Sequence, residues 1–127
     1  MTLRLEQQLQ LQEPSVVLIT NDKSVRDLWV HEFLTRHSIF SIYSSVAEAL
    51  THLDDLDEVT RFFVSESTDG DAALIEFAET IGALRPSSLV YALSNLPSAL
   101  TSKATEDGLI RAILNDRHVT DALFHYC

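Results

Sequence analysis

From residue 15 onward the chain alternates between short apolar runs and stretches whose apolar residues recur three and four apart. Val16-Val17-Leu18-Ile19 is unbroken, the pattern of a strand buried on both faces. Ser24 to Arg36 carries Val25, Leu28, Trp29 and Phe33 at helical spacing. Ile39 to Tyr43 reads as a second strand. Ser45 followed by Glu48 is a capping box, and Val46, Ala49, Leu50 and Leu53 form the stripe of the helix it opens. Arg61 to Ser65 is a third strand. Asp71 to Leu84 is a helix with Leu74, Phe77, Ala78 and Ile81 on one face, and Pro86 breaks it. Ser88 to Leu93 is a fourth strand. Pro97 to Glu106 starts with a proline tolerated in a first helical turn, and Gly108 stops it. Leu109 to Leu114 reads as a fifth strand, and Val119 to Tyr126 as a fifth helix of barely two turns.

Five strands alternating with five helices imply an α/β fold with a parallel sheet covered on both faces. The expected architecture is a three-layer, doubly wound, flavodoxin-like domain with strand order 2-1-3-4-5. Ligands of such sheets sit at the carboxyl ends of the strands, beside the switch point between strands 1 and 3. Residues 1–14 stand apart as an N-terminal arm, and 15–127 form the domain. The arm holds Leu3, Leu5, Leu9 and Leu11; some of these spacings suit a helix and others a strand, so its period is undecided. Pro14 ends any helix near Glu13.

Composition narrows the picture. The chain has 127 residues, 46% of them hydrophobic, enough for one core. With 19 acidic and 9 basic residues its net charge is −10, a field that repels phosphate backbones. Nucleic acid is therefore not an expected partner. No apolar run is long enough to span a membrane, and the first residues lack the apolar core of a secretory signal. The single cysteine, Cys127, allows no intrachain disulfide and no Cys-based metal site. These features point to a cytoplasmic protein.

The strand ends bring together the chemistry: Thr20-Asn21-Asp22, Glu66, Ser94-Asn95 and Asn115-Asp116. With these residues the chain resembles the response-regulator receiver (CheY-like) family. Val17 to Leu28 resembles the family's first strand, acidic pair and helix start, with Ser24-Val25-Arg26-Asp27-Leu28 opening the helix. Phe62-Phe63-Val64-Ser65-Glu66 resembles the strand that ends in the phosphoacceptor Asp. Asp69-Gly70 resembles the Asp-Gly before the next helix. Ser94 falls at the family's Ser/Thr, Ala112 at its aromatic switch and Asn115 at its Lys.

The resemblance also marks departures. A working receiver binds Mg²⁺ through two acids after strand 1 and the acceptor Asp; here Thr20 and Asn21 are neutral. Asp22 comes one residue late and is expected to cap the first helix. Glu66 is one methylene longer than the acceptor, which spoils in-line geometry. It places a charge about where a phosphoryl group would sit, as a permanent mimic or a relic acid. Ser94 keeps a hydroxyl able to donate to Glu66. Asn115 cannot act as the point charge that Lys supplies, and Ala112 has no ring to rotate.

Other constellations are sparse. His31, His37, His52, His118 and His125 form no H-x-x-x-H or H-E-x-x-H motif, and no nucleotide-binding glycine motif or nucleophile elbow occurs. Asp54, Asp55, Asp57 and Glu58 read as a solvated acidic loop. The expected function is that of a non-phosphorylatable pseudo-receiver in two-component signalling. It would have no enzymatic activity, cofactor or metal, and would act on a protein partner (a signalling effector or kinase) or on itself as a homodimer. The short last helix is expected to leave apolar surface that is covered either by the Leu-rich arm or by a second chain, with pairing through the fourth helix, fifth strand and fifth helix the favoured of the two. Two alternatives stay open: a small-molecule or nucleotide sensor using the emptied crevice, and an atypical receiver phosphorylated on Glu66 or Asp22.

Overall fold

The computed structural model describes residues 15–34 and 40–116. The expected arm, the fifth helix, His37, His118, His125 and Cys127 lie outside the described residues. The elements are β1 (Ser15–Ile19), α1 (Lys23–Leu34), β2 (Phe40–Tyr43), α2 (Val46–Thr51), a 3₁₀ turn (Leu53–Asp55), β3 (Thr60–Ser65), α3 (Glu66–Asp69), α4 (Asp71–Leu84), β4 (Leu89–Leu93), α5 (Ala99–Glu106) and β5 (Ile113–Leu114).

The strands form one parallel sheet in the order β2-β1-β3-β4-β5, as expected. Register sets which residues share a face. Val17 lies opposite Phe62, which lies opposite Val90. These side chains pack with Ile19, Val64 and Ala92 against Ala49 of α2, Leu74, Phe77 and Ile81 of α4, and Ala104 of α5. The alternate residues Val16, Leu18, Phe63, Tyr91 and Leu93 face the other way and pack against Val25 and Trp29 of α1. Because strand side chains alternate, the apolar runs fill two cores, one on each side of the sheet.

The second core is aromatic. The Phe63 ring stacks on Tyr91 at 4.9 Å between centroids and meets Trp29 at 5.0 Å. Trp29 is fully buried. Its indole N–H donates to the Asp116 carbonyl at 3.0 Å, which ties α1 to the chain leaving β5. A buried indole needs such a partner.

Several boundaries differ from the expectation. The fifth strand spans Ile113–Leu114 and not Leu109 to Leu114. The reason is the stop of α5: the amides of Leu109 and Ile110 both donate to the Ala104 carbonyl, at 2.9 and 3.2 Å, and Gly108 takes a φ of 83°. Those amides end the helix and cannot enter the ladder. The buried Ile110 side chain joins the first core. The fourth expected helix starts at Ala99 and not Pro97, because Ser98 caps it by accepting from the Thr101 amide at 3.1 Å. Leu53 lies in a 3₁₀ turn past the end of α2, buried all the same.

Candidate functional site

At the carboxyl end of β1 the chain turns sharply into α1. The Thr20 amide donates to the Tyr43 carbonyl at 3.0 Å, holding β1 to the end of β2. Thr20 is buried, and its hydroxyl oxygen accepts from the Asp22 amide at 3.1 Å. Asp22 Oδ1 accepts from the amides of Ser24 and Val25, at 2.8 and 3.3 Å. Asp22 is therefore the N-cap of α1, as expected from its late position. It satisfies amides that would otherwise be left without an intrahelical acceptor.

β3 passes without a loop into α3, four residues reading Glu66-Ser67-Thr68-Asp69. These four residues carry no helical period of apolar positions. The turn ends at Gly70, whose φ of 92° suits glycine and whose amide donates to the Glu66 carbonyl at 3.0 Å. Three of its side chains reach three different loops. Glu66 Oε1 accepts from the Ser94 hydroxyl and Oε2 from the Ser98 amide, both at 3.1 Å. Thr68 Oγ1 accepts from the Asn21 amide at 3.1 Å and lies 3.4 Å from Asn21 Oδ1. Asp69 Oδ2 accepts from the Val46 amide at 2.9 Å. Each brace therefore captures a backbone N–H: one after β1, one after β2 and one after β4.

Of the residues expected at the site, Glu66 and Ser94 are in direct contact. Thr20 and Asn21 face the same end of the sheet but bond locally and to Thr68. Asp22 is turned to α1. Ala112 precedes β5, its carbonyl accepting from the Ala92 amide at 3.0 Å, and it packs half-buried against the aromatic core. Asn115 is half-buried immediately past β5, close to Ser94 in register, since the Ser94 amide donates to the Leu114 carbonyl at 2.8 Å.

Three residues escaped the sequence reading: Thr68, Asp69 as an acceptor for α2, and Ser98. Ser98 carried a readable signal, a serine directly before a helix. The other two did not, because their partners are 47 and 23 residues away.

The rim of this end carries further charge. Glu48 of α2 accepts from the Ser44 amide at 3.0 Å, while its own amide donates to the Ser45 hydroxyl at 3.1 Å. The capping box is thus shifted by one residue on its carboxylate side. Tyr43, at the end of β2, has its phenol pKa raised by partial burial and then by the negative charges of Asp55 and Glu48. Tyr43 stacks on His52 at 5.3 Å.

No protein-family model and no curated protein sequence matches the chain. Solved structures do. The isolated receiver domain of RcsB from Salmonella enterica serovar Typhimurium, in the presence of the phosphomimetic BeF₃⁻, aligns with a TM-score of 0.70 and 17% identity over 87% of this chain and 86% of that one. RcsB from the same organism bound to the promoter rprA gives 0.71 and 16% over 89% of this chain and 67% of that one. The signal receiver domain of an HD domain-containing protein from Pseudomonas fluorescens Pf-5 gives 0.67 and 18% over 87% and 84%. Strand order, layer arrangement and these superpositions agree: the chain has the CheY-like receiver fold.

Proposed function

We propose that this protein is a signalling module that uses the receiver fold without its phosphoryl chemistry, presenting one fixed conformation to a protein partner. The observation that carries this reading is the set of braces from residues 66–69, which occupy the loop amides after β1, β2 and β4. A receiver that switches must leave its acceptor carboxylate free to meet a cation and a phosphoryl donor. Here both Glu66 oxygens already accept hydrogen bonds from Ser94 and Ser98.

The donor set does not fit Mg²⁺, which wants several anionic oxygens in near-octahedral array. Thr20 and Asn21 carry no charge, and Asp22 is turned to α1, its Oδ1 holding two helix amides. Among the described residues, no three His, Cys, Asp or Glu side chains converge on a point.

Glu66 does by a fixed charge what a transient phosphoryl group would do: it draws the Ser94 hydroxyl inward and anchors the start of α5 through Ser98. On that anchored segment Leu96 and Leu100 stand 89% and 55% exposed. Apolar side chains held outward in this way suit a protein surface. The partner is an effector, a kinase or a second copy of the chain, and sedimentation of the purified protein separates self-association from the other two.

The test of the main reading is incubation with acetyl phosphate and Mg²⁺, followed by intact mass. The expected result is an unmodified chain. A stoichiometric adduct of one phosphoryl group on Glu66 or Asp22 overturns it in favour of an atypical phosphoacceptor.

A further inference from the structure

Away from the braced crevice, a cleft of about 240 Å³ opens between the C-terminal half of α4 and the amino ends of β4 and β5. Leu89 and Leu109 give it apolar walls above the buried Ile81, and Gly82, Ser88 and Arg111 also line it. At two of these residues the side-chain position has no part in holding the fold.

Gly82 lies inside α4, where glycine weakens a helix relative to alanine. No close contact requires it: a Cβ there would meet nothing within 4 Å. Its backbone does not require it either, since only Gly70 and Gly108 take positive φ. What the missing side chain does is leave the cleft wall open.

Arg111 is the second. Its amide donates to the Val90 carbonyl at 2.8 Å, which fixes the residue at the edge of β4. Its side chain is exposed and makes no ion pair or hydrogen bond among the described residues. Asp107, the acid nearest in sequence, is paired with Lys103 at 3.2 Å. In a chain with 19 acidic and 9 basic residues, an unpaired guanidinium beside an apolar wall is complementary to an anion with an apolar body. The Ser88 hydroxyl does not compete, because it donates to the Glu58 carbonyl at 2.6 Å and accepts from the Thr60 amide at 2.9 Å.

We propose that this cleft binds a small monocarboxylate, its apolar body against Leu89 and Leu109 and its carboxylate against the Arg111 guanidinium. The volume is below the roughly 300 Å³ at which drug-sized pockets begin, which favours a short chain over a nucleotide. The site does not depend on the state of the crevice.

The experiment is a two-dimensional NMR titration of the full chain with hexanoate, and with hexanol as the uncharged match. Saturable shifts are expected at Gly82, Leu89 and Arg111 with hexanoate, and binding at least about tenfold weaker with hexanol, the scale of one charge-assisted hydrogen bond. Arg111→Gln, an exposed change that leaves the core intact, is expected to weaken hexanoate by about the same tenfold factor. Gly82→Leu is expected to block it. The proposal is overturned by the absence of saturable shifts, by equal affinity for the two probes, or by an Arg111→Gln variant that binds hexanoate as well as the parent.

Discussion

The two ends of the sheet are both cross-linked by side chains, but in different surroundings. At the amino end the Ser15 and Thr60 hydroxyls lie 2.8 Å apart, and Thr60 donates onward to the Asp57 carbonyl at 2.7 Å. A hydroxyl has one proton to give, so Ser15 is the donor to Thr60. Ser88 extends the chain from β3 to the start of β4. Ser15, Thr60 and Ser88 are all buried. At the carboxyl end the acceptors Glu66, Thr68 and Asp69 are half-buried or exposed. Burial decides what each network does. A buried hydroxyl that loses its partner carries an uncompensated desolvation cost, whereas an exposed amide finds water. The amino end therefore holds stability, and the carboxyl end fixes the shape of the loops.

The largest effect should come from breaking the buried network. Thr60→Val keeps the size of the side chain but leaves the Ser15 hydroxyl and the Asp57 carbonyl without their partner. A loss of about 2 kcal/mol in chemical denaturation is expected. A loss no larger than that of an exposed substitution would show that the two ends do not differ in the way described.

Asp22→Ala should cost about 1 kcal/mol, the usual value of a helix N-cap. Asp22→Asn should recover most of it, since Asn also caps; a deficit equal to that of Ala would mean that Asp22 acts through its charge on some other group. Glu66→Ala comes next, with a global loss below about 1 kcal/mol because its partners become solvated. Its signature is local: the Ser98 amide should exchange with solvent much faster while amides of β1 and β3 stay as they were.

The smallest effect concerns pH. The Tyr43 pKa is raised above the usual value near 10.0 by burial, Asp55 and Glu48. The folded state thus disfavours the phenolate. Its contribution is intact below the unfolded value and is lost as pH rises through the folded one. Denaturation midpoints should decline more steeply above pH 10 in the parent than in Tyr43→Phe. Parallel curves would remove Tyr43 from the rim electrostatics.

The alternation of strands and helices was legible because it rests on local periodicity, and the strand order followed from the fold class that this alternation implies. Apolar runs at β1, β3 and β4 and the stripe of α4 repeat within a few residues, and their burial follows. Two site features were also readable: the cap by Asp22, from its place just before the helix, and the Ser94–Glu66 contact, from the resemblance that sets Ser94 at the receiver family's Ser/Thr and Glu66 at its acceptor. The rest was not. Leu109 and Ile110 look like strand residues, yet a single carbonyl of α5 takes both their amides. The short turn Glu66–Asp69 shows no period at all, and its partners come from remote loops that only the fold brings near.

Those three captured amides offer the most direct measurement. Hydrogen exchange at Asn21, Val46 and Ser98 should be slow compared with the exposed Leu96, and it should not change when Mg²⁺ and acetyl phosphate or BeF₃⁻ are added. Rapid exchange at the three positions, or protection that appears only with the phosphoryl donor or its mimic, would mean that the loops are free to switch and that residues 66–69 do not lock them.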